Sequence, residues 1–191
     1  MNTKEILPGV FIVEEYISKD TCDFLVDMFS KDMRNAPMEN MFTGITGYDG
    51  EILSYTEDAM LNVAMDLNKS IIISINSLLS NHYNMNYKLK TYFFNCLTKG
   101  ASMGLHIDND PLVSDDVEEN QDKYKNNLSA LLYLNEEYTG GELHFFSKDV
   151  DITPKPGSLI FFEGDANKPH KVKKVLSGNR YNIVSFYEPV N

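Results

Sequence analysis

Positive charge is scarce in this chain: 17 Lys and Arg stand against 28 Asp and Glu, for a net charge of −11 and a pI near 4.7. That deficit opposes the counterion release through which proteins hold nucleic acid, and it gives no purchase on anionic membranes. Small molecules, or neutral to basic chains, fit the charge better. Cysteine is also sparse, and Cys22 and Cys96 are too few for a disulfide framework. Both sit among apolar neighbours, where Cys acts as a small hydrophobe, and both are expected in the core. No stretch approaches the roughly 18 apolar residues of a membrane span, and MNTKEILPG lacks the charged start and apolar run of an export signal. A soluble cytoplasmic protein is the expectation. No Pro/Gly/Ser-rich linker, internal repeat or low-complexity tract divides the 191 residues, so one domain is expected over 1–191, with 1–86 supporting a core over 87–191.

What is present falls into two styles. GVFIVEEYI after Pro8 reads as a strand, and Ser18 can cap a helix whose Cys22, Leu25, Val26 and Phe29 recur at three and four. Residues 35–56, with Gly44, Gly47 and Gly50, read as an irregular loop. Met60, Ala64, Leu67, Ile71, Ile75 and Leu78 predict one long amphipathic helix from Glu57 to about Asn81, packed on a sheet. From Tyr87 the pattern becomes short β-rich runs: YKLKTYFFN, GLHI, LSALLYLN, GELHFF, SLIFFE, HKVKKV and RYNIVSFY. The fold class is therefore α+β but mostly β, an antiparallel sandwich or jelly roll with helices backing one sheet. The acid-rich segment 108–127 is either a lid or a solvated loop, and the loop at 41–56 is a second candidate for substrate selectivity.

Chemistry gathers in four residues. His106 and Asp108, two apart in LHIDND, can point the same way from one strand, and His170 in NKPHKV heads a late strand. Two imidazoles and one carboxylate on one face of a metal leave three adjacent positions open, which suits Fe(II), although zinc also accepts this set. Arg180 heads RYNIVSFY, and its planar fork would pair with the remote acid of a dicarboxylate that chelates the metal, which favours iron. Strand alternation puts Asn182 and Val184 on the side of Arg180. His82 is expected at a helix C-terminus, while His144 could face either cavity or solvent.

The ordered segments resemble the Fe(II)/2-oxoglutarate-dependent dioxygenases, in particular the prolyl 4-hydroxylase-like branch. The resemblance rests on His106-x-Asp108, LLYLNEEYTGGELHFF at 131–146, PKPGSLIFFEG at 154–164, PHKV at 169–172 and GNRYNIVSFY at 178–187. It implies a double-stranded β-helix core at 87–191, with His106, Asp108 and His170 as Fe(II) ligands. It further implies that Arg180 and Tyr133 hold the distal carboxylate of 2-oxoglutarate, that O₂ is consumed, and that succinate and CO₂ are released as a C–H bond is hydroxylated. Ascorbate belongs to the same expected set. The implied substrate is a prolyl residue of a peptide or protein, with a free amino acid or other small metabolite as the alternative. A non-catalytic jelly-roll binding module is the reading from a different class. Many relatives carry a Tyr about ten residues before the first ligand, where this chain has Asn95-Cys96-Leu97; Asn182 is expected to supply part of that contact. Nucleic-acid demethylases of the superfamily usually carry a second Arg six residues after the first, where this chain has Phe186.

Overall fold

The computed structural model describes residues 2–31, 36–37, 45–49, 58–108, 127–164 and 167–190. The chain opens on a hairpin, β1 (Thr3–Leu7) and β2 (Val10–Val13), turned at Pro8 and Gly9. The expected strand over GVFIVEEYI stops at Val13, because Glu15 takes a left-handed φ of 51° and ends the ladder. Helix α1 (Lys19–Lys31) follows, with Ser18 Oγ accepting from the Thr21 amide at 3.2 Å, and it buries Cys22, Leu25 and Phe29. Two short strands, β3 (Ala36–Pro37) and β4 (Ile45–Asp49), lie where an irregular loop was expected. β4 lacks a two-residue alternation of its own and is a strand because it ladders onto a long neighbour, with Ile45 opposite Leu97 and Gly47 opposite Asn95.

Helix α2 (Ala59–Tyr83) starts on Asp58, whose Oδ1 accepts from the Met60 and Leu61 amides at 2.9 and 3.1 Å. It ends on Asn84 in a left-handed cap whose N–H bonds the Ser80 carbonyl. Its buried stripe is Leu61, Ala64, Met65, Asn68, Ile71, Ile72, Ile75 and Leu79. Met60, expected on that stripe, is 53% exposed; it lies in the first turn beside the cap, and the buried face is centred one position further along. No described helix is long and apolar enough to cross a membrane.

The β-rich half supplies β5 (Tyr87–Leu97), β6 (Met103–His106), β7 (Leu128–Tyr133), β8 (Tyr138–Gly140), β9 (Leu143–Phe145) and β10 (Val150–Ile152). It continues with β11 (Leu159–Glu163), β12 (His170–Val172), β13 (Val175–Gly178) and β14 (Arg180–Pro189). Eight strands form one sheet in the order β1-β2-β11-β7-β14-β5-β4-β3; four form a second, β10-β9-β12-β6; β13 and β8 make a separate ribbon. HKVKKV, read as a single strand, divides between β12 and β13, which sit in different sheets. Lys173 N–H turns to the Glu142 carbonyl between them.

The central strands of the large sheet are buried on both faces, which is why LIFFE and LSALLY are nearly unbroken apolar runs. On β11, Leu159 and Phe161 join the core under the helices, while Ile160 and Phe162 join the core between the sheets. On β7, Leu128, Ala130 and Leu132 face the helices, and Leu131 and Tyr133 face the small sheet. This is the jelly-roll architecture expected, with helices on one sheet and the inter-sheet space left for a site. Both cysteines are buried, and neither is in a disulfide.

Candidate active site

The chain brings His106, Asp108 and His170 together by strand register. His106 closes β6 and is the register partner of His170, the first residue of β12. The two rings lie 4.4 Å apart between centroids. Each Nδ1 faces a backbone carbonyl, Gly104 O at 2.8 Å from His106 and Lys168 O at 3.0 Å from His170. A carbonyl only accepts, so both Nδ1 atoms carry a proton, and each Nε2 is the nitrogen left either to share a proton with Asp108 or, once deprotonated, to give its lone pair to a metal. Those Nε2 atoms converge on one Asp108 oxygen, at 3.3 Å from His106 and 3.5 Å from His170. The ligand atoms of the three all lie within 4.8 Å of one another. The Phe162 ring, centred 5.2 Å from that of His170, limits its rotation.

Electrostatics fit a cation. Burial pushes the Asp108 carboxyl up, but hydrogen bonds from His106 and His170, with the nearby His170 charge, outweigh it and hold the group well below the usual carboxylate range. Burial pulls His106 down, yet the Asp108 contact leaves it raised. An ionised carboxylate with two convergent imidazole lone pairs is a fit for Fe(II) that leaves one side of the ion open.

A cavity of about 460 Å³ is lined by all three residues and by Arg180, Asn182 and Val184. Arg180, Asn182 and Val184 alternate inward along β14. The guanidinium is 1% exposed: Nη1 donates to Asn182 Oδ1 and Nη2 to Tyr133 Oη, each at 3.0 Å, and its carbon lies 4.8 Å from the Tyr133 ring centroid. No acidic side chain forms an ion pair with Arg180 among the described residues, and its Nε has no hydrogen-bond partner. A buried cation flanked only by neutral oxygens is built for an incoming anion. Gly141, φ +68°, fits against this group, since a Cβ there would lie 3.1 Å from Arg180 Cδ. That contact accounts for the second glycine of TGGEL.

Two further residues of the site lay outside the sequence-derived set. Tyr138 on β8 hydrogen-bonds the guanidinium, and its signal was only its place in EEYTGGEL. Asn95 on β5 is 3% exposed and lines the cavity; a polar residue inside the apolar run TYFFNCL was its signal. His144 points away from the cavity, its Nδ1 2.8 Å from Asp151 Oδ1, and Lys173 holds the other Asp151 oxygen at 2.5 Å. His82, in the last turn of α2, packs against Phe11 and Phe161. Asp110 and the acidic segment beyond it, together with most of the loop at 41–56, fall outside the described residues.

Residues 92–188 match the family described as the 2OG-Fe(II) oxygenase superfamily. The chain is 38% identical over 64 residues to human prolyl 3-hydroxylase 2, a match spanning 31% of this chain and 9% of that protein. Among solved structures, a Trichoplax adhaerens prolyl hydroxylase, in complex with a hypoxia inducible factor oxygen degradation domain peptide fragment, superposes with a TM-score of 0.67. The two are 20% identical over 94% of this chain and 83% of that one. A Pseudomonas putida prolyl-4-hydroxylase superposes at 0.62, with 19% identity over 96% and 94% of the two chains.

Proposed function

This chain belongs to the 2OG-Fe(II) oxygenase superfamily, and from that premise we propose that it hydroxylates an unactivated C–H bond of a prolyl residue in a peptide or protein. His106, Asp108 and His170 are the residues that hold Fe(II), and Arg180 with Tyr133 and Asn182 holds the distal carboxylate of 2-oxoglutarate. The observation that carries this reading is one cavity lined both by the convergent His-Asp-His set and by a buried guanidinium with no ion-pair partner among the described residues. When bound, Fe(II) with 2-oxoglutarate and O₂ supplies the oxidative chemistry, yielding succinate, CO₂ and a hydroxylated product.

The residues do the rest. Gly104 and Lys168 carbonyls keep both imidazoles in the tautomer that presents Nε2. Asp108 stays ionised. Tyr133 and Asn182 steady the Arg180 fork from either side, and Leu131, Leu143 and Val172 line the same cavity with apolar surface that keeps water out. Residues 1–191 act as one domain in this reading, because strands from 1–86 form both edges of the sheet that carries Arg180. The prolyl substrate is supported by the prolyl hydroxylases among the similar proteins, one of them in complex with a peptide fragment.

The test is turnover by purified protein with Fe(II), 2-oxoglutarate, O₂ and ascorbate over a panel of proline-containing peptides and free amino acids. Succinate and a singly oxygenated peptide are expected in equal amounts, both falling to background in Asp108→Ala. Oxygenation of a free amino acid alone would replace the peptide reading, and no succinate with any substrate would overturn the proposal.

A further inference from the structure

Ser129 on β7 stands on the side of the large sheet that faces the small one, in alternation with Leu131 and Tyr133. Its register partners on the two flanking strands are Phe162 on β11 and Phe186 on β14. Phe162 packs against the His170 ring and Phe186 lines the cavity, so one small hydroxyl sits in the middle of an aromatic row. Neither flank can accept its proton. Ser129 is 0% exposed, and its Oγ is buried without a hydrogen-bond partner among the described residues. The charged group beside it is Asp108, whose carboxyl the hydroxyl helps to hold low although the two are not aligned as a full hydrogen bond. A buried hydroxyl left unpaired is unfavourable, and few are kept without a reason.

We propose that Ser129 is a positioning residue for Asp108, its hydroxyl donating to the carboxylate oxygen that does not face the histidines. This rests on the reading above in which Asp108 is a metal ligand. Oδ1 takes the Nε2 atoms of both His106 and His170, which leaves Oδ2 in need of a donor. A serine hydroxyl rotates freely about its Cβ and reaches such an acceptor with little movement of the strand. Ser129 lies mid-strand, with the β7 ladder paired on both sides, so the anchor it offers is rigid. A carboxylate free to turn could meet an ion through both oxygens and fill a position on its open side. Held through Oδ2, it offers Oδ1 alone.

Metal binding to the purified protein tests this without turnover. Ser129→Ala is expected to weaken Mn(II) about tenfold, the lower end of what loss of a ligand's hydrogen-bond partner costs. Ser129→Thr keeps the hydroxyl and should stay within about threefold of the parent. The visible spectrum of the Co(II)-loaded protein, which follows coordination number, should change in Ser129→Ala and remain parent-like in Ser129→Thr. The metal-free melting temperature of Ser129→Ala should fall by no more than a few degrees, since a purely structural serine would lower it without selectively weakening the metal. Should Ser129→Ala not fold, Ser129→Cys is the second probe: its thiol is close in shape and a poor donor, and Mn(II) should bind at least threefold more weakly. Unchanged Mn(II) affinity in the variant that folds overturns the assignment, as does an equal loss in Ser129→Ala and Ser129→Thr or an unaltered Co(II) spectrum in Ser129→Ala. If the parent itself binds no Mn(II), the metal reading falls instead.

Discussion

Cys22 shows how far burial alone can silence a reactive group. It is 0% exposed, its Sγ faces the Tyr133 carbonyl at 3.9 Å, and burial, helped by the Asp23 charge, pushes its thiol up to about 11. The folded protein thus holds the proton more tightly than the unfolded chain, so the thiol's contribution to stability is fully present below its ordinary value of 9.0 and is lost as pH rises toward 11. Each unit of displacement corresponds to about 1.4 kcal/mol. Urea unfolding at pH 8 and pH 10.5 should therefore show the parent losing at least ~1 kcal/mol more than Cys22→Ala over that interval. Equal losses in the two proteins would mean the thiol does not titrate with folding. The buried tyrosines that are also raised, Tyr16, Tyr87, Tyr133 and Tyr187, are common to both proteins and cancel in the comparison.

Helix α2 is 25 residues long, and its start depends on one side chain. Asp58 Oδ1 takes two amides that the helix cannot pair internally, so Asp58→Ala should cost about 1 kcal/mol. For a chain of this size that is roughly 2–4 °C in melting temperature. Asp58→Asn keeps the acceptor and should recover most of it; thermal unfolding of the two variants decides. Elements with a strong period of their own, such as α2, were legible from sequence, as were the doubly buried strands LIFFE and LSALLY. Those made by a neighbour were not. β4 has three strand-like residues among glycine and aspartate and is ordered by its ladder to β5, and β8 and β10 are three residues each. The phase of the α2 stripe was misjudged by about one position because Met60 is apolar by type and exposed by place. His106, Asp108, His170 and Arg180 were legible because they stand in order along the chain within segments rich in glycine and aromatics. Tyr138 was not, since nothing local distinguishes a tyrosine that meets a guanidinium from one that meets solvent, and Asn95 showed only as a polar residue inside the apolar run TYFFNCL.

At the scale of the whole molecule the candidate site is a seam. His106 and His170 come from the four-stranded sheet, Tyr133, Asn182 and Arg180 from the eight-stranded one, and Asp108 follows β6 directly. A cation together with a dicarboxylate that reaches Arg180 would tie the two sheets to each other across the space between them, which the His–Asp contacts alone do not do. Whatever binds the folded seam and not the unfolded chain raises stability by an amount set by concentration over Kd, about 2.7 kcal/mol at a hundredfold excess. With a melting shift of roughly 2–4 °C per kcal/mol for a chain of this length, Mn(II) plus 2-oxoglutarate at that excess should raise the melting temperature by roughly 5–11 °C. Mn(II) alone engages only the His-Asp-His end and should give a smaller rise. 2-Oxoglutarate alone, lacking the metal that holds its other end, should give less still. Arg180→Leu should keep the Mn(II) response and lose the increment from 2-oxoglutarate, whereas Asp108→Ala should lose both. A scanning calorimetry series over these ligand combinations and variants checks the whole pattern, and an additive response in which each ligand acts without the other would show that the two ends of the cavity are not joined by one bound molecule.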